Sequence, residues 1–494
     1  MTISALRNPA TVAALLLLAS FSTRAADRFD DARAVIRQQM LESRLASVAV
    51  AVSHRGKIVY EEGFGWADKE RRVAAGPHTM YSLASVSKPI TVTALMTLVE
   101  AGKVSLDQPA NELLGNAKLQ VWVGDERQLT VRSLITHTSG IPGGGQFFYG
   151  DERRLRPDMD TTLLRYGGAL FAPGERYDYS NLGYGVLGHI VERASGRSYE
   201  QYLKQAIFMP LGMTRTSVEV GPGLAEYQAI RYEAGGQPVP PFVSTEPGSM
   251  AVYSSAHDLA RLGMFFLKDR LPDQRPILSD AGIAQMLHDP GPEHRDGSRN
   301  GGWHARQQGK DVVLGHEGSM AGSNADVSIV PARDICVVVL ANGSIGFGRR
   351  TISDALFKAI VPEWTAASRR VSAPAVTRFQ PPPELVGRWA GTIHTYEREL
   401  PVELNVLSTG EVQTRIGSQL TTLLNDVRFA DGLLTGKSAS RIDTADTQRH
   451  PHDVSFSLRL RGSVLNGAAM ANSLAAPGLS WIYNLPHWVE LRRE

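Results

Sequence analysis

The stretch Ser85-Val86-Ser87-Lys88-Pro89-Ile90-Thr91-Val92-Thr93-Ala94-Leu95-Met96 decides how the rest of the chain is read. Its apolar residues recur at helical spacing, and Gly102 stands where such a helix would stop. Pro89 suits the first turn, whose N–H groups have no intrahelical partner. Ser85 then lies at or near the helix N-terminus. Lys88, three residues on, sits one turn away on the same face, close enough for its amine to approach the serine hydroxyl. A Ser-x-x-Lys arises freely by chance in a chain of this composition, so its companions decide its meaning.

At 494 residues the chain has room for two or three domains, and 43% hydrophobic with 21% charged residues is ordinary for globular proteins. A formal net charge of +2, with no Lys/Arg-rich block, argues against a large phosphate-binding surface, so nucleic acid is not the expected partner. Arg7, the apolar run from Thr11 to Phe21 and the small residues at Ala25 and Ala26 have the layout of a secretory signal peptide, residues 1–25. The run is short for an uncleaved anchor, and no later stretch is long and apolar enough to span a bilayer. The expectation is therefore an exported protein, periplasmic or secreted, with no stable membrane anchor. The single cysteine, Cys336, falls inside the apolar run Ile335–Leu340 and reads as a buried structural thiol.

Along the chain, Phe29 to Leu45 reads as an amphipathic helix. Ser47–Val52 and Lys57–Tyr60 read as strands around the turn His54-Arg55-Gly56. From about 102 to 245 the pattern is helical, with Asn111–Leu114, Val131–Thr136 and Leu182–Ser195 separated by Gly- and Pro-rich loops. A further helix is expected over Ser254–Leu267, capped by Ser254 or Ser255. Strand character returns at Asp311–Gly315, Asp326–Val330 and Ile335–Leu340, and a helix follows near Ile352–Ile360. Strands at both ends with helices between predict an α/β (α+β) domain, 27–365, whose antiparallel sheet is flanked by helices and carries a helical insertion. Pro374 and Pro381-Pro382-Pro383 mark a linker, 366–384. Beyond it, alternation at Val402, Leu404 and Val406 and at Val454, Phe456, Leu458 and Leu460 predicts a small all-β barrel domain, 385–494.

Ser85/Lys88 is the only Ser-x-x-Lys in the chain, and Tyr179-Ser180-Asn181 is the only Tyr-x-Asn. His316-Glu317-Gly318 follows an apolar strand and precedes two more. In this order, the three motifs resemble the active-site set of the penicillin-recognising serine hydrolases, the serine β-lactamase and penicillin-binding-protein family. The resemblance is closest to the branch of class C β-lactamases, related esterases and D-aminopeptidases, and runs from about Ala46 to Ile360. Thr130–Pro142 and Gly315–Gly322 add to it. Val386-Gly387-Arg388-Trp389 resembles the first strand of lipocalin-like barrels.

The chemistry agrees with the resemblance. A serine hydroxyl becomes a nucleophile when a neighbouring base takes its proton, and a lysine near a helix N-terminus can be that base. Ser85, Lys88 and Tyr179 are thus the expected catalytic residues, with Tyr179 relaying the proton. Asn181 would orient Lys88 or a substrate amide, and His316 and Gly318 belong to the substrate-facing strand. By resemblance, the backbone N–H groups of Ser85 and Ser319 form the oxyanion hole. His137 is expected to secure a loop.

The resemblance implies an exported serine hydrolase that forms an acyl-enzyme on an ester or amide/peptide bond, acting on a small molecule or peptide without metal or cofactor. Where many relatives carry a lysine that holds a substrate carboxylate, this chain has His316 beside acidic Glu317, so ester or amide hydrolysis is expected ahead of β-lactam turnover. The alternatives are a β-lactamase, a D,D-peptidase or a D-aminopeptidase, and outside enzymes an acylation-based penicillin sensor or an apolar-ligand-binding barrel. Oligomeric state is left open. Gly183–Gly188 fits G-x-G-x-x-G without the preceding strand a dinucleotide site needs. His450-Pro451-His452-Asp453 has no companion ligand at a metal-site spacing and reads as a loop.

Overall fold

The computed structural model describes residues 27–221, 223–288, 299–344, 346, 348–366, 379–474 and 482–494. The expected leader, 1–25, and most of the expected linker, 367–378, lie outside the described residues.

The sheet of the α/β domain is antiparallel throughout. Its strands run, in spatial order, Arg299–Asn300, Trp303–Gln308, Asp311–Met320, Ser323–Val330, Ile335–Ala341, Ser47–His54, Lys57–Asp68 and Val73–Ala74. The central seam joins distant parts of the chain, with Val48 opposite Ala341 and His54 opposite Ile335. Both faces of this seam are covered, so every residue from Ser47 to Ser53 and from Ile335 to Ala341 is buried. That is why these strands read as unbroken apolar runs rather than alternating ones. The helices Asp30–Glu42 and Gly348–Ile360 pack together over one face, and Ala256–Phe266 lies on the other. Cys336 is fully buried under that last helix, where a methyl at Gly263 would sit 2.2 Å from its sulfur. Burial pushes its thiol well up, away from the thiolate that a nucleophile needs.

The helix Ser87–Glu100 runs between sheet and insertion, and every residue from Ser87 to Met96 is buried. It ends where expected, Gly102 taking the left-handed conformation with φ 68°. The helix near 254–267 is capped by Ser255, whose hydroxyl accepts from the Asp258 N–H; Ser254 instead ends a short strand.

Beyond the linker the chain forms a closed eight-strand barrel from Gly387 to Arg493, each strand pairing with the next and the first, Gly387–His394, with the last, Tyr483–Arg493. Trp389, Ile393, Leu404, Val406, Ile416, Leu434, Phe456 and Leu458 are at most 1% exposed and pack its interior. The barrel is continuous with the α/β domain. The far end of its last strand pairs with Gly145–Tyr149 of the insertion (Tyr483 opposite Gln146), and Gly145–Tyr149 pairs in turn with Phe242–Ser244. Asp446 of the barrel also accepts hydrogen bonds from Arg165, Tyr166 and Tyr396 at 2.7–3.2 Å.

Candidate active site

Ser85 sits in a 3₁₀ turn, Ala84–Val86, that leads straight into the helix Ser87–Glu100. Ala84 has φ 47°, a left-handed conformation that costs a non-glycine residue about 1–2 kcal/mol. The bend is anchored from both sides: Leu83 N–H donates to Val252 O at 2.9 Å and Val86 N–H to Leu83 O at 3.1 Å.

Lys88, one turn on, is fully buried. Its Nζ donates to Ser85 Oγ at 3.2 Å, Asn181 Oδ1 at 2.8 Å and Ser249 O at 3.1 Å. The rings of Tyr179 and Tyr184 lie 4.7 and 5.4 Å from it. Tyr179 OH donates to Ser85 Oγ at 2.8 Å. Asn181 opens the helix Asn181–Ser195, for which Ser180 is the cap, its Oγ accepting from Gly183 N–H at 2.9 Å. His137 secures the Tyr179 loop, its Nδ1 accepting from Ser180 N–H at 3.0 Å and its carbonyl from Asp178 N–H at 2.8 Å.

The third wall is the strand Asp311–Met320. A methyl group on Gly318 would lie 2.0 Å from Leu83 O and 3.1 Å from Ser85 N, so only glycine lets this strand rest on the Ser85 turn. Its neighbour Ser319 lines the cleft together with Ser85. His316 lies within the strand rather than at its end. It is 3% exposed, with Nδ1 2.8 Å from Glu317 O and its ring against His304, centroids 4.8 Å apart.

Two cavities meet at Ser85. One, of about 330 Å³, is lined by Phe147, Tyr149, Phe242, Met250 and Met320, with Glu233 among its polar groups. The other, of about 540 Å³, is lined by Tyr179, His304, His316, Arg306, Arg349 and Arg350. Glu317, which reads in the sequence as an acidic neighbour of His316, is already neutralised. Its carboxylate pairs with Arg349 and with Arg350, the latter at 2.6 Å. Burial opposes ionisation there, but the two guanidiniums outweigh it and hold the carboxyl below its ordinary range. Three arginines against one carboxylate leave the wall net cationic, a charge that the His-Glu-Gly motif alone does not reveal.

Sequence reasoning missed three parts of this site. Arg349 and Arg350 arrive on the distant helix Gly348–Ile360, with no motif around them, and Arg306 on the strand Trp303–Gln308. The aromatic wall depends on strand pairing with the barrel. Glu246, fully buried near Lys88, looks like any loop carboxylate before Pro247. Burial pushes it up to about 8, against the opposing pull of Thr245, backbone N–H groups and Lys88. Thr245 donates to its Oε1, whereas Oε2 finds no partner among the described residues. The glycines of Gly183–Gly188 serve packing in this region. Methyls at Gly185 and Gly188 would lie 3.1 Å from Glu246 Cγ and 3.2 Å from Gly248 Cα.

Residues 32–359, more than half of the chain, match the family model described as Beta-lactamase. The chain belongs to the Beta-lactamase family. This family of serine hydrolases accounts for the catalytic sheet and insertion. Among curated relatives, Protein flp of Staphylococcus aureus (strain MRSA252) is 26% identical to this Beta-lactamase-family chain over 316 residues, covering 62% of each. The chain thus spans less than two thirds of that relative's length. Among solved structures, SurE superposes with a TM-score of 0.63 at 21% identity, covering 94% of this chain and 99% of SurE. A class C β-lactamase from Rhodobacter sphaeroides gives 0.55 at 24% identity, covering 67% of this chain and 98% of its own. Both are likenesses of fold.

Proposed function

We propose that the protein is a serine hydrolase that cleaves an ester or amide/peptide bond through an acyl-enzyme on Ser85. One observation carries this reading. Ser85 Oγ lies within hydrogen-bond reach of both Lys88 Nζ (3.2 Å) and Tyr179 OH (2.8 Å), where two cavities meet.

Asn181 Oδ1 and Ser249 O accept two of the Lys88 N–H bonds, which leaves the third direction of its nitrogen aimed at Ser85 Oγ. In the neutral amine that direction holds the lone pair. Lys88 then takes the hydroxyl proton as Oγ attacks the scissile carbonyl carbon, and the carbonyl oxygen takes up the negative charge. Ser85 N–H and Ser319 N–H are the candidate donors to that oxygen. Collapse of the tetrahedral intermediate breaks the bond to the leaving group. Tyr179 supplies its proton and is recharged from Lys88. Water then attacks the acyl carbon with the same groups in reverse, releasing the acid and restoring Ser85.

The aromatic cavity suits an apolar acyl or side-chain group. His316, in place of a lysine, supports ester or amide substrates over β-lactams. A second reading, hydrolysis of β-lactams or carboxylate-bearing D-peptides, is favoured by Arg306, Arg349 and Arg350 on the opposite wall. Residues 1–25 support an exported location, where cell-wall peptides would be within reach. Pairing of the barrel with Gly145–Tyr149 supports a role for the barrel in holding the aromatic wall and restricting substrates.

Intact-mass labelling with a fluorophosphonate and with penicillin, on wild type and Ser85→Ala, tests the nucleophile. Labelling of wild type alone is expected. Rapid cephalosporin hydrolysis with no activity on short-chain aryl esters would overturn the substrate preference in favour of the second reading.

A further inference from the structure

We propose that Glu61, His78 and His257 form a binding site for a divalent transition-metal ion, Zn²⁺ foremost, that ties the catalytic sheet to the segment leading into Ser85. One carboxylate oxygen and one nitrogen from each imidazole all lie within 4.8 Å of one another. His257 Nδ1 is 2.8 Å from Glu61 Oε2, and the two imidazoles stand with centroids 4.5 Å apart.

Two imidazoles and a carboxylate are a donor set that Zn²⁺ takes, with a fourth position open to water. Bonds of about 2.0–2.1 Å around a tetrahedral ion place donors about 3.4 Å apart. The present spread, up to 4.8 Å, leaves the adjustment to the side chains, since the backbones are anchored. Glu61 lies within the strand Lys57–Asp68. His257 is in the first turn of the helix Ala256–Phe266, and its N–H donates to Pro77 O at 3.1 Å. His78 lies inside a closed turn, where Gly76 N–H donates to Thr79 Oγ1 at 2.9 Å and Thr79 N–H to Gly76 O at 3.1 Å. The backbones that carry the donors, on three separate segments, are thus anchored before any ion arrives.

The choice of ion follows from the donors. Two nitrogen ligands disfavour Ca²⁺ and Mg²⁺, which bind through oxygen. His78 is exposed, which gives an ion a path in from solvent. The ion would replace the hydrogen bond between His257 and Glu61 and add His78 to the cluster. The turn that follows His78 leads through the strand Tyr81–Ser82 to Ala84, so the ion would brace the approach to Ser85 without touching it.

The test uses the untagged full chain, stripped with chelator and dialysed, titrated calorimetrically with Zn²⁺ and followed by the visible spectrum of Co²⁺. Expected are one equivalent per chain, a tetrahedral-type Co²⁺ spectrum, and a rise in Tm with Zn²⁺. His78→Gln and His257→Gln should each weaken binding by about tenfold or more and abolish the Tm rise. His78 takes no part in the hydrogen bond between Glu61 and His257. His78→Gln should therefore leave the metal-free Tm and the Ser85 labelling rate unchanged, which keeps the test decisive if the His257 variant folds poorly. Absence of stoichiometric binding, or equal affinity in wild type and His78→Gln, would overturn the proposal.

Discussion

Replacing Glu246 with glutamine should stabilise the protein at high pH and lose that advantage at low pH. The carboxyl is fully buried and raised from its ordinary value of 4.5 to about 8, burial being the main cause. The sign follows from proton linkage. Well below pH 4.5 the group is neutral in both folded and unfolded chains and contributes nothing. As pH rises, the unfolded chain ionises while the folded one stays neutral, so stability falls until pH passes about 8, where the deficit levels off. Between pH 5 and pH 9 the accumulated deficit is roughly 4 kcal/mol. A glutamine carries no such term. Its amide beside the unpartnered Oε2 position adds a fixed cost, which cancels when the variant-minus-wild-type difference at pH 9 is compared with that at pH 5. At roughly 1–2 °C per kcal/mol, extrapolated from smaller domains, the relative Tm of Glu246→Gln should rise by about 4–8 °C between those pH values. Scanning calorimetry of both proteins across that range is the assay. A difference in Tm that stays constant from pH 5 to pH 9 would refute the argument that Glu246 is held neutral.

Tyr179→Phe removes the hydroxyl 2.8 Å from Ser85 Oγ and should lower kcat/KM by about 10²–10⁴-fold; a loss under threefold in ester assays would remove Tyr179 from the proton path. Phe242→Ala opens the aromatic wall where Phe242 meets Phe147 and Tyr149 edge-on, centroids 5.0 and 5.1 Å away. It should cost long-chain aryl esters about tenfold more in kcat/KM than acetyl esters; equal losses would show that this cavity does not hold the acyl group. Asp446→Ala strips the barrel of the acceptor for Arg165 and Tyr166 and should cost about 1–3 kcal/mol, seen as a lower Tm with the fluorophosphonate labelling rate at Ser85 within threefold of wild type. An unchanged Tm would show that this junction adds nothing to stability.

Much of the architecture is legible in local pattern because its causes are local. The covered seam strands show as continuous apolar runs at Ser47–Val52 and Ile335–Leu340, the barrel as alternation at Val402, Leu404 and Val406. The family shows because Ser-x-x-Lys, Tyr-x-Asn and His-x-Gly keep their chain order. Charge at the site is less legible. Glu317 reads as an acidic neighbour of His316, yet its carboxylate belongs to Arg349 and Arg350, about thirty residues away on a helix that only packing brings there. Glu246 is illegible for the related reason that its raised pKa is a property of burial, and burial belongs to the assembled fold.

The amino-acid sequence by itself determined which residue types stand one helical turn apart, with Lys88 three places after Ser85, and roughly where the main helices and strands lie, since caps, turns and periodicity act over a few residues. Only the tertiary structure decided that Tyr179 lies 2.8 Å from a serine 94 positions earlier, that the barrel's last strand extends the wall made by Phe147 and Phe242, and that the facing wall is net cationic. Those outcomes depend on which distant surfaces pack together. Packing is a property of the whole chain, settled by total burial rather than by any segment's own preference.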